Sequence, residues 1–91
     1  MHMPLVRFTG NIQRHVACPD ARVVGRSVRE ALDAVFAGNP KARGYVLDNQ
    51  GALRHHMVVF VNGAILVDRA TLSDAVRQDD TVDVFQALSG G

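Results

Sequence analysis

Ser27-Val28-Arg29-Glu30-Ala31-Leu32-Asp33-Ala34-Val35-Phe36 reads as an amphipathic helix that carries its own start signal. Ser27 and Glu30 stand at the S-x-x-E spacing of a capping box, in which the two side chains satisfy backbone N–H groups left without partners in the first turn. Val28, Ala31, Leu32, Val35 and Phe36 recur at helical spacing and define one apolar face. Gly38-Asn39-Pro40 ends the helix, since glycine and asparagine accept left-handed backbone and proline cannot continue the hydrogen-bond ladder. Glu30 and Asp33 are one turn apart, but the first belongs to the cap and the second to a solvated face, so they are not an acid–base pair.

On the N-terminal side, Leu5-Val6-Arg7-Phe8 is a short strand with Val6 and Phe8 on one face. Gly10-Asn11 supplies turn chemistry, so a second strand from about Gln13 to Ala17 is expected to return as a hairpin. An irregular stretch at Cys18-Pro19-Asp20 then precedes Val23-Val24. On the C-terminal side, residues 41–51 are polar and turn-rich, and Leu53 to Val61 reads as a strand. Asn62-Gly63 is a two-residue hairpin signal before Ala64-Ile65-Leu66-Val67. Thr71 to Val76 suggests a short helical turn, and Asp79-Asp80 turns the chain into a last strand, Thr81 to Leu88. One helix among these strands can cover only one face of a sheet. The expected fold is therefore α+β: an open mixed sheet of four to five strands packed on one main helix, the ubiquitin-like β-grasp arrangement. Its core should join Val6, Phe8, Val28, Leu32, Val35, Phe36, Val59, Val61, Val82 and Val84.

The 91 residues suit a single domain spanning 1–91, and 47% hydrophobic with 21% charged residues matches ordinary globular composition. Met1-His2 reads as a cloning remnant ahead of a native Met3. Ten basic against nine acidic residues leave a formal charge of +1, too balanced for phosphate-backbone binding, so nucleic acid is not an expected partner. From Asp68 onward, Asp68, Asp74, Asp79, Asp80 and Asp83 face only Arg69 and Arg77, an excess suited to a basic partner surface. The longest apolar run, Met57 to Val61, is far below the ~20 residues that cross a bilayer, and no membrane association is expected. Cys18 is the only cysteine, which excludes an intramolecular disulfide and points to a reducing cytoplasm. With no base signature beside it, Cys18 is read as a small hydrophobe. His55 and His56 are adjacent in an expected strand, so they should face opposite ways and bind no metal together.

Directly after the last strand comes Ala87-Leu88-Ser89-Gly90-Gly91. A terminal Gly-Gly is common, but Gly-Gly at the end of this order of elements is specific. With the capped helix, Val59-Phe60-Val61-Asn62-Gly63 and the Leu72 to Asp80 approach, the chain resembles the ThiS/MoaD sulfur carriers, ubiquitin-like proteins, over nearly its whole length. The resemblance implies a carrier with no catalytic residues and no bound cofactor. Gly91 would be the working group: its carboxylate is adenylated by a ubiquitin-activating-type enzyme and converted to a thiocarboxylate, which a sulfur-accepting synthase consumes. ATP and a sulfur donor are then used on the partner, in keeping with the lack of a G-x-x-x-x-G-K-[ST] loop here. Length and the Phe-Val-Asn-Gly hairpin look closer to the molybdopterin-synthase small subunit and the cysteine-pathway carriers than to the shorter thiamin carriers. The alternatives are a ubiquitin-like modifier joined to lysines and a binding module with an incidental tail.

The tail's geometry follows from its composition. Without Cβ atoms, Gly90 and Gly91 can enter a narrow channel, with Ser89 and Gly90 presenting the terminal Gly91. The stretch from Leu88 to the end reaches at most roughly 13–14 Å at ~3.3–3.6 Å per residue. If Val59 and Val61 face the helix, then His56, Val58 and Phe60 face away, and Phe85 does so in the last strand. Val58, Phe60, Phe85 and Leu88 are therefore the expected partner-docking residues.

Overall fold

The computed structural model describes residues 2–87. Strands β1 (Leu5–Phe8), β2 (Ala21–Arg22), β3 (Met57–Val61), β4 (Ala64–Ile65) and β5 (Thr81–Gln86) form one sheet in the order β2-β1-β5-β3-β4. The helices are α1 (Gly10–Gln13), α2 (Val28–Phe36) and α3 (Pro40–Val46). β1 and β5 run parallel at the centre, and every other pairing is antiparallel. This is the expected mixed sheet with α2 as its main helix, and the fold is the ubiquitin-like β-grasp.

Helix α2 starts where its cap is written. Ser27 Oγ accepts from Glu30 N–H at 3.1 Å, while Glu30 Oε1 reaches back one residue beyond the cap to Arg26 N–H at 3.0 Å. The remaining free donors of the first turn go elsewhere: Val28 N–H donates to Asp74 O and Arg29 N–H to Leu72 O, each at 2.9 Å. For this reason Thr71 to Val76 is not the helical turn expected. Leu72 takes φ 58°, left-handed backbone that a bulky side chain adopts only under tertiary constraint. It thereby buries its side chain completely and turns the segment to run beside α2, with Ser27 bridged to Ala75.

Four other expectations are corrected. Gln13 to Ala17 is not a strand: Thr9 O accepts from both Ile12 and Gln13 N–H, so Gly10-Asn11 opens the helical turn α1, which buries Ile12. Gln13, Arg14 and His15 are all exposed and offer no alternating face, and the partner of β1 is Ala21–Arg22 instead. Residues 41–51 are not all loop. Asn39-Pro40 stops α2 and starts α3: Asn39 Oδ1 accepts from Ala42 N–H at 3.2 Å, Pro40 takes the first helical turn, and Ala42 and Val46 are buried. The strand expected from Leu53 begins only at Met57, because a turn at His55-His56 precedes it. The two rings consequently meet edge to face at 5.4 Å and do not lie on opposite sides of a strand.

The core joins the inner face of the sheet to α2. Val6, Phe8, Val28, Leu32, Phe36, Val59, Val82 and Val84 are buried as expected, whereas Val35 and Val61 are half-buried at its edge. Residues outside that expected set, Ile12, Leu47, Met57 and Leu72 among them, complete it from the loops and strand ends. Cys18 is buried here, and desolvation pushes its thiol above its ordinary pKa, as fits a packing residue.

The acidic stretch is mostly spent inside the fold. Asp74 accepts from Val67 and Asp68 N–H at 2.9 Å, Asp80 from Arg77 N–H at 2.8 Å, and Asp83 pairs with Arg7. Asp68 receives Ala70, Thr71 and Ser73 N–H together with the Thr71 and Ser73 hydroxyls. The Ser73 hydroxyl first, and then that of Thr71, hold the Asp68 carboxyl well below the ordinary range. A carboxylate depressed in the folded state stabilises fully above its unfolded pKa of ~3.9 and loses that contribution as pH falls below it. The gap in urea midpoint between wild type and Asp68→Ala should therefore be constant near neutrality and narrow below about pH 4. A gap unchanged in acid would show that the charge of Asp68 contributes nothing.

Candidate functional site

β5 lies in the middle of the sheet, flanked by β1 and β3, so the C-terminal end of the chain leaves from the centre of the fold. Ala87 N–H donates to His56 O at 2.8 Å, which carries the β3 pairing one residue past the strand. Leu88, Ser89, Gly90 and Gly91, the expected tail and its reacting end, lie outside the described residues. Ala87 is thus the root from which they continue.

The outer face of the sheet collects the expected apolar residues. Val58 is the register partner of Phe85, and the rings of Phe60 and Phe85 meet edge to face at 5.4 Å. Val58 and Phe60 are half-buried, and Phe85 is 40% exposed. Ile65, at 60%, belongs to the same patch because it pairs directly with Phe60. The expected docking residues do not include it, although the hairpin signal implies it: Asn62 (φ 52°) and Gly63 (φ 86°) both take the positive φ of a two-residue turn. That loop length fixes Val61 opposite Ala64 and Phe60 opposite Ile65, and so puts Ile65 on the face of Phe60.

The patch is bordered by charge. Arg7 and Asp83 are register partners on β1 and β5, and their side chains form a bidentate pair at 2.6 and 3.1 Å on the same outer face. The face therefore offers an apolar centre with a polar rim, and it ends two residues before the tail root. Among the described residues no group of three or more His, Cys, Asp or Glu comes together to hold a metal ion, and no helix is long and apolar enough to cross a membrane.

The sequence model of the ThiS family matches residues 6–91. The chain belongs to the ThiS family. Among curated proteins none matches this ThiS-family chain in sequence. In fold it is similar to small archaeal modifier protein 1 from Haloferax volcanii, with TM-score 0.80, 24% identity, and 98% of this chain and 99% of that one covered. It is also similar to a chain of the Amycolatopsis orientalis BexX/CysO complex, with TM-score 0.78, 20% identity, and 96% and 98% covered. For Mycobacterium tuberculosis CysO the values are 0.75, 16%, and 92% and 98%. These likenesses establish the ubiquitin-like fold, and the family match places the chain in the ThiS family.

Proposed function

We propose that the protein is a sulfur carrier whose Gly91 carboxylate is activated and loaded on partner enzymes, and that it catalyses nothing itself. The observation that carries this reading is the ThiS-family match running to residue 91, together with a fold whose central strand ends at Gln86 beside an exposed apolar face. A free carboxylate resists nucleophiles, so it must first be given a leaving group. A carboxylate oxygen of Gly91 attacks the α-phosphorus of ATP on the partner, pyrophosphate departs, and an acyl adenylate results. A hydrosulfide-equivalent donor then attacks the carbonyl carbon. The new C–S bond replaces the C–O bond to AMP, which leaves with the bonding pair, and loss of the sulfur's proton gives the thiocarboxylate. A sulfur-accepting synthase of a cysteine- or molybdopterin-type pathway consumes it.

Mass spectrometry tests this after incubation with a cognate adenylating enzyme, ATP and a sulfur donor. Exchange of one oxygen for one sulfur at Gly91 is expected, and an unchanged terminus under conditions that load a known carrier would reject the reading. The likeness to a small archaeal modifier protein supports a second reading, conjugation of Gly91 to lysines of other proteins. A sulfur-free isopeptide adduct would favour it.

Docking is assigned to Val58, Phe60, Ile65 and Phe85, with Leu88 continuing toward the tail. The occurrence of a CysO chain in a complex with BexX supports a protein partner. Phe85→Glu should weaken binding to the activating enzyme on the order of tenfold or more, since aromatic residues at the centre of an interface dominate its energy. The thermal midpoint should stay close to wild type because the ring is 40% exposed. Calorimetric titration checks the first expectation and a melting curve the second; unchanged affinity would remove Phe85 from the interface.

A further inference from the structure

The end of β5 is held on three sides. On one edge Ala87 N–H binds His56 O, and on the outer face Phe85 stands against Phe60. On the helix side the hydroxyl of Tyr45, in α3, donates to Gln86 Oε1 at 2.7 Å across 41 positions of sequence. The Tyr45 ring is in turn stacked on His15, centroids 5.6 Å apart and planes 24° from parallel.

The third restraint acts where β5 is paired along one edge alone. β1 follows β5 only as far as Phe8 opposite Val84, with Thr9 N–H to Val84 O at 3.1 Å as the last rung. The chain then turns away into α1, so Gln86 has a strand partner, Met57, on one edge alone. The bond from Tyr45 holds Gln86 from the helix face instead, one residue before the tail root. Packing does not require it, because the half-buried ring lies against the core and phenylalanine would fill the same space. A reacting group that is held less closely reacts more slowly, so loosening the strand end that precedes Gly91 lowers the rate.

We infer that Tyr45 is a positioning residue, whose hydroxyl, backed by the His15 ring, fixes the end of β5 at Gln86 and Ala87, from which the chain continues to the reacting Gly91. This rests on the reading of Gly91 as the reacting end, and it holds equally for sulfur loading and for conjugation.

The test is a double-mutant cycle of Tyr45→Phe, Gln86→Met and their combination. Without any partner, the ¹⁵N heteronuclear NOE at the Gln86 and Ala87 amides should fall in each variant while the thermal midpoint stays close to wild type. In steady-state loading by the activating enzyme, kcat should fall about two- to tenfold, the worth of one hydrogen bond, with KM within about twofold because the docking face is intact. The double variant should fall no further than either single. An unchanged NOE at Ala87, a loss confined to KM, or additive losses in the double variant would each overturn the inference. A wild type that is never loaded would instead reject the carrier reading, and the NOE at Ala87 alone would then decide whether Tyr45 holds the strand end.

Discussion

Leu32→Ala should destabilise the protein by about 2–5 kcal/mol, the range for emptying a buried leucine site that cannot fully collapse. Leu32 is fully buried on the inner face of α2, between the turns that carry Val28 and Phe36, and belongs to the single core shared with Val6, Val59, Val82 and Val84. Domains of this size hold only about 5–15 kcal/mol in total, so the substitution removes a large part of the margin. At ~4–8 °C per kcal/mol the thermal midpoint should fall by at least about 8 °C. Ala34, on the exposed side of the same helix, supplies the control: Ala34→Lys should stay within about 0.5 kcal/mol. Urea unfolding of the two variants checks both values. Equal midpoints would mean that α2 presents a different face to the sheet.

That helix was legible because its determinants are local. Ser27, Glu30 and the apolar repeat lie within three turns, and nothing distant has to be known to read them. The same holds for the Asn62-Gly63 hairpin and for β5, whose alternation of Val82 and Val84 with Asp83 and Phe85 sorts inner from outer face. Where the reading failed, backbone partners distant in sequence decide the structure. Leu72 and Asp74 give their carbonyls to the first turn of α2, so Thr71 to Val76 follows a helix more than forty positions earlier and not its own propensity. Asn39-Pro40 is ambiguous in principle, since a residue pair that ends one helix can cap the next, and only burial of Ala42 and Val46 selects the second use.

The outer patch was legible in part for the same reason. Val58, Phe60 and Phe85 follow from strand period alone, whereas Ile65 needs the register across the turn. Tyr45 and Gln86 were illegible: no local pattern joins α3 to the end of β5, and only the finished fold brings a hydroxyl to that amide. The chemistry assigned to Gly91 has a different origin. It comes from the family and the terminal residue types, because the groups that activate ATP are proposed to belong to a partner.

The largest functional effect is expected at that terminus. Deleting Gly91 should abolish adenylation and sulfur loading, because the acyl group would end one residue, up to ~3.6 Å, short of the partner's catalytic site. Adding an alanine after Gly91 should abolish loading equally when purified components exclude a protease that could restore the end. The added Cβ enters a channel that two glycines fit, and the carboxylate is carried past the α-phosphorus of ATP. Neither change should alter folding, since among the described residues every member of the core lies at or before Val84 and β5 closes at Gln86. Melting curves of the two variants should therefore overlay the wild type while mass spectrometry finds no oxygen exchanged for sulfur. Efficient loading of either variant would place the activated group elsewhere in the chain and defeat the carrier reading.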